Sequence, residues 1–220
     1  MIMSIGNTIK YGMLFFFLVL LSCNGQKKYH SNEKEITNVS SDKLRSILEH
    51  QQEMNEEFRN PETSPLPDRF RKNFEGLDFF APDTTYVVRA KFVQALNTTP
   101  FLMPTTTNVT SEYMLFGTVH FKLQGNTYTL EVYQNQELML QEKYKDYLFL
   151  PFLDNTNGKE TYGGGRYIDL AIPEGDFIEI DFNKAYNPYC AYNKKFSCPI
   201  VPAVNTLNME VNAGVKAFKK

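Results

Sequence analysis

The stretch RYIDLAIPEGDFIEIDF, residues 166–182, carries carboxylates on both sides of a short loop. Ile168, Leu170 and Ile172 share one parity, and so do Ile178, Ile180 and Phe182. Opposed residues in a sheet lie on the same side, so even positions must face even positions if these segments pair. The tightest loop that allows this is Pro173-Glu174-Gly175, a type I turn closed by a left-handed glycine. The spacing predicts a hairpin with Leu170 against Ile178 and Ile168 against Ile180. Its other face sets Asp169 against Glu179 and Tyr167 against Asp181. Opposed carboxylates repel. On a solvated face, water and salt screen that repulsion. In a polar concavity the same pair would bind a cation or do acid–base work, once burial or coupling separates the two pKa values. A hydrolytic version would use carboxylates such as Glu160 and Asp169.

Just upstream, ETYGGGRYIDL (160–170) places three glycines between two tyrosines. Such a run costs backbone entropy, so geometry must require it. One geometry is a crowded corner leading into the hairpin. The other is a nest of backbone amides that holds an anion beside Arg166. The run lacks the spacing of a dinucleotide fingerprint and opens no predicted helix. HExxH, GxSxG and P-loop signatures are missing. Of the histidines, His30 lies in a polar segment, His50 on a predicted helix and His120 within a predicted strand. No metal site and no cofactor is read from these residues. With no basic patch and a formal net charge of −2, nothing points to nucleic acid.

The elements that must position these groups are mostly strands. The chain has 14% aromatic residues, with 18 Phe, 13 Tyr and no Trp, a composition that suits a sheet. Period-two segments are YVVRAKFV (86–93), EYMLFGTVHFKL (112–123) and TYTLEVYQ (127–134). The last two form a hairpin around Gln124-Gly125-Asn126, and Gly117 marks a bulge. ELMLQE (137–142) and YLFLPF (147–152) are read as further strands. A helix is predicted over Asp42–Asn60, with Ser41 as N-cap and Pro61 as its stop. A second, short helix is predicted over Pro67–Phe74. The fold class is mainly β: an antiparallel β-sandwich or partly open barrel, with the N-terminal helix packed outside.

The first residues read as an address. Lys10 precedes an apolar run from Met13 to Leu21, too short to span a bilayer and proportioned like a signal-peptide core. Leu20-Leu21-Ser22-Cys23 is similar to the lipobox of bacterial lipoproteins, whose cysteine is acylated and becomes the mature N-terminus. The expected organisation is a signal peptide over 1–22, a lipidated flexible tether over 23–41 and a single mainly-β domain over 42–220. Acylation would hold the protein on a membrane of the cell envelope, because each buried methylene contributes about 0.8 kcal/mol. No acidic residue directly follows Cys23, which favours the outer membrane. In that compartment Cys190 and Cys198 are expected to form a disulfide.

Three stretches, SPLPDRFRKNFEGLDFF (64–80), LFLPFLDNTNGKETYGGGRYIDL (148–170) and DFNKAYNPYCAYNKKFSCPI (181–200), resemble successive signatures of the family called domain of unknown function 1684. The resemblance covers roughly 45–215 and implies a mainly β domain without an assigned activity. Its matched positions are rich in polar groups and glycine. They supply the candidate binding residues Asp154, Glu160, Tyr162, Gly165, Arg166, Tyr167, Asp169, Asn183, Tyr186 and Asn187. Near the C-terminus, Val204, Thr206, Asn212 and Val215 stand where the family carries charged types, which favours binding over catalysis. The function expected is a lipid-anchored envelope protein that binds a small polar ligand or an envelope partner without catalysis. The alternative is an envelope hydrolase with paired carboxylates.

Overall fold

The alternating segments build a curled sheet in the computed structural model, which describes residues 27–219. Its strands are β1 (Val87–Gln94), β2 (Phe101–Met103), β3 (Ser111–Leu123), β4 (Asn126–Asn135), β5 (Tyr147–Asp154), β6 (Arg166–Ala171), β7 (Phe177–Asp181) and β8 (Thr206–Leu207). The order across the sheet is β6-β5-β4-β3-β1-β7, with β2 added beside β3. All pairs are antiparallel except the short β5–β8 pair. The sheet curls into a half-barrel, the partly open form of the two expected.

Long strands bend where their ladder breaks. The β3–β4 register shifts between Leu115 and Gly117, the bulge expected at that glycine. The β3–β4 turn is tight: Leu123 pairs with Asn126, and Gln124 and Gly125 both take positive φ, at 47° and 83°. Inside the curl, side chains of one parity from each strand form the main core. Val88, Val119, Phe121, Leu130, Leu148, Leu150, Phe152, Ile168 and Ile180 are buried there. Apolar burial of this kind contributes about 1.5–3 kcal/mol per large side chain.

The predicted β6–β7 hairpin does not form. Asp169 pairs with Phe149 of β5, and Glu179 with Arg89 of β1. Strands β6 and β7 are the two edges of the sheet path, and they approach each other across the barrel's opening without a shared ladder. Alternation assigns a face to each strand but not a neighbour. Glu179 meets Lys43 of the N-terminal helix instead, at 2.9 Å.

That helix, α1 (Lys27–Arg59), starts earlier than Asp42, so Ser41 lies within it and is no cap. The sequence contains neither Pro nor Gly between Lys27 and Arg59, so nothing breaks the helix before Pro61. A short helix α2 (Asp68–Arg71) follows. The C-terminal half of α1 packs outside the barrel. Phe58 is buried against Leu66 and Tyr192, with the Tyr192 ring 4.8 Å away at 77°.

The segment ELMLQE is also no strand. Residues Leu138–Leu140 and Glu142–Tyr144 are 3-10 turns. Asn135 at the end of β4 accepts the amides of Glu137 and Leu138 at 3.0 and 2.8 Å, which turns the chain out of the sheet. The signal-peptide residues and Cys23 lie outside the described residues. Among the described residues no helix is long and apolar enough to cross a membrane.

Candidate functional site

Residues of β5 and β6 with the opposite parity point away from the main core. Phe149 faces Asp169, and Pro151 faces Tyr167. Tyr113, Tyr133, Phe149 and Tyr167 form a second buried cluster on that outer face. The chain after β7 crosses to β6 and makes one antiparallel bridge, with Tyr167 N–H to Tyr186 C=O at 2.9 Å and the reverse bond at 3.0 Å. This bridge stitches the barrel's seam. Next to it, between the outer face, the C-terminal half of α1 and the 186–199 segment, lies a cleft of about 480 Å³. Tyr and Phe supply about half of its lining.

Asp169 is the polar centre of that cleft. Its Oδ1 accepts the hydroxyls of Tyr186 at 2.6 Å and Tyr147 at 2.9 Å. Asp169 is exposed to solvent at the cleft, although neighbouring side chains crowd its carboxylate. Desolvation raises its pKa above the ordinary aspartate range, and the two tyrosine hydrogen bonds pull the other way. Tyr147 and Tyr186 are held neutral, first by burial and then by the negative charge beside them.

The helix supplies the opposite wall. His50, Met54, Glu57 and Phe58 line the cleft from α1. Glu57 accepts the Tyr189 hydroxyl. The His50 pKa is lowered, first by burial and then by the Lys184 charge, and its buried Nε2 has no partner. Asn187 is also buried on the wall, and its Nδ2 donates to Lys216 C=O at 2.9 Å while its Oδ1 has no partner. No lysine or arginine among the described residues lines the cleft. Among the described residues no group of three His, Cys, Asp or Glu side chains gathers as a metal cage.

The ten sequence candidates divide. Tyr167, Asp169, Tyr186 and Asn187 line the cleft. Arg166 does not: it is fully buried and pairs with buried Asp154 at 2.9 Å. Its guanidinium also donates to the carbonyls of Val211, at 2.8 Å, and Ala213, tying the C-terminal segment to the barrel. Gly165 has φ +88°, and a Cβ there would stand 2.7 Å from the Phe152 carbonyl oxygen. The glycine run is therefore a crowded corner at this position. Asn183 exchanges hydrogen bonds with the Asp83 backbone, at 2.9 Å in both directions. Glu160 is exposed outside the cleft, so it does not share a site with Asp169. Tyr162 also lies outside, 3.9 Å from the Cys190 sulfur.

Cys190 and Cys198 are free thiols and not the expected disulfide. They are neighbours even so, with the Cys190 amide donating to Cys198 Sγ at 3.1 Å. The Cys198 thiol donates to Cys190, which brings the Cys190 pKa down to about 6 and pushes that of Cys198 up. Cys198 forms part of the cleft wall.

The α1 residues and Tyr147 were missed because no motif marks them. One signal was present: His50, Met54 and Glu57 recur at helical spacing on the face that adjoins Phe58, a mixed polar stripe beside the apolar one.

The family described as "Protein of unknown function (DUF1684)" matches over residues 72–216. Among solved structures, the solution NMR structure of an uncharacterized Haloarcula marismortui protein is similar, with 32% identity and a TM-score of 0.60. The similarity covers 85% of this chain and 96% of that one. No curated protein matches the chain.

Proposed function

The chain belongs to the DUF1684 family, and from that premise we propose that it is a lipid-anchored envelope protein whose β domain binds a small polar ligand in the Asp169 cleft. One observation carries the reading: a concave, aromatic-lined volume of about 480 Å³ has an exposed carboxylate, Asp169, in its wall, with a raised pKa. Pockets of roughly 300–1,000 Å³ suit small molecules. The lipid anchor rests on the sequence around Cys23 alone. Its test is the Cys23→Ser variant, which should leave the membrane fraction and fail to incorporate labelled fatty acid. For the ligand, a thermal-shift screen of amines, sugars, nucleotides and short peptides tests the cleft. A class that raises Tm supports the reading, and no response from any class counts against it.

A hydrolytic reading keeps one specific support. Asp169 and Glu57 line the same cleft, and a carboxyl with a raised pKa is suited to act as a general acid. Turnover of chromogenic glycosides or esters that is lost in Asp169→Asn would favour it.

A further inference from the structure

Resting on the binding reading, we infer that the ligand of the Asp169 cleft is a compact organic cation, such as a substituted ammonium. Three features of the cleft point the same way. Its formal charges are carboxylates, Asp169 on the sheet and Glu57 on α1, and among the described residues no lysine or arginine lines it. Both hydrogen bonds at Asp169 come from neutral hydroxyls and fall on Oδ1, and among the described residues no cation is bonded to this carboxylate. Rings line the same cleft: Phe149 and Tyr167 lie 4.7 Å apart, and Tyr167 and Tyr186 5.8 Å apart.

An aromatic enclosure with an anionic floor attracts a cation through the ring quadrupoles and direct charge, and desolvation strengthens both. The protein already uses this chemistry at the edge of the site. Lys143 sits 5.0 Å from the Tyr144 ring centre, and Lys195 sits 4.8 Å from that of Phe196. Those two rings are occupied by the chain's own cations, which leaves the inner rings around Asp169 for the ligand. An anionic ligand would meet carboxylates and a neutral His50. A metal ion would find too few ligands, since no three metal-binding side chains converge among the described residues.

The groups that face Asp169 are Tyr147 of β5, Tyr186 and Tyr189 beyond β7, Tyr113 of β3, and His50 and Glu57 of α1. Lowering the pH protonates Asp169 and His50, and each change disfavours a bound cation. Cation affinity should therefore fall with pH, whereas that of a neutral probe should not.

The test is calorimetric titration of the full-length chain with choline and with its uncharged isostere 3,3-dimethyl-1-butanol. Choline should bind at least about tenfold more tightly than the isostere at pH 7. Its affinity should drop about tenfold in Asp169→Asn and should fall on acidification in the unaltered protein. The pH arm needs no variant, so a misfolded variant would not decide the outcome. Equal binding of both compounds overturns the cation assignment and leaves a small-ligand cleft in place. No choline binding in the millimolar range also overturns the cation assignment, and the broader ligand screen then decides whether the cleft binds anything else.

Discussion

The Tyr186 hydroxyl donates to Asp169 Oδ1 at 2.6 Å, from a segment joined to β6 by a single bridge across the barrel's seam. The residue whose backbone closes the seam thus also holds the cleft's carboxylate with its side chain. This hydrogen bond favours the charged form of Asp169. Tyr186→Phe should therefore raise the Asp169 pKa further. A carboxyl ¹³C titration reads it directly, and an unchanged midpoint would contradict the assigned bond.

Asp169 is exposed, but the protein crowded around its carboxylate displaces enough water to make it hold its proton more tightly in the folded chain than in the unfolded one. Its contribution to stability is full below the ordinary aspartate pKa and is lost as pH rises through the raised value. At pH 7 the ionised group is a cost to the fold. Asp169→Asn keeps an acceptor for both tyrosines, so its urea midpoint should exceed that of the unaltered chain at pH 7. The difference should shrink below pH 4. A variant less stable at pH 7 than at pH 3, relative to the unaltered chain, would show that the carboxylate supports the fold.

Arg166 and Asp154 make the opposite case, a buried pair with every contact structural. Asp154→Ala would strand a buried guanidinium and cost about 3–5 kcal/mol. Denaturant unfolding measures this. A loss under about 1 kcal/mol would mean that water reaches the pair.

Cys190 should alkylate as a low-pKa thiol, with its iodoacetamide rate half-maximal near pH 6. Cys198→Ala removes the donor and should return the midpoint towards the ordinary thiol range of about 8.5. A profile unaffected by that change would contradict the thiol–thiol hydrogen bond.

Much of the sheet was legible because β4 and the C-terminal part of β3 alternate, β1 alternates in part, β5 is a short apolar run, and Gly117 marked its own bulge. The β6–β7 pairing was not. Parity at Ile168 and Ile180 is satisfied equally well by the real partners, Leu150 and Val88. Leu138 to Leu140 looked like strand because nothing in the pattern shows Asn135 capturing the amides that follow it. At the site, the family signature drew attention both to the polar residues that pin the backbone, such as Arg166 and Asn183, and to those that line the cleft. Only the fold separates the two groups, because burial and direction depend on which strands become neighbours. The contribution of α1 was hidden for the same reason. Glu57 meets the cleft through packing between segments far apart in sequence.

The central claim is that the cleft centred on Asp169 binds a small ligand, and one comparison tests it most directly. The unaltered chain and Asp169→Asn are passed through the same thermal-shift screen, with hits followed by ring-resolved NMR of the tyrosines. The account predicts a compound that raises Tm in the unaltered chain, moves it much less in the variant, and shifts the signals of Tyr147 and Tyr186. Saturating ligand at about 100 times its Kd would add about 2.7 kcal/mol to stability, well within reach of the screen. Hits that stabilise both proteins equally and leave those tyrosines unmoved would contradict it.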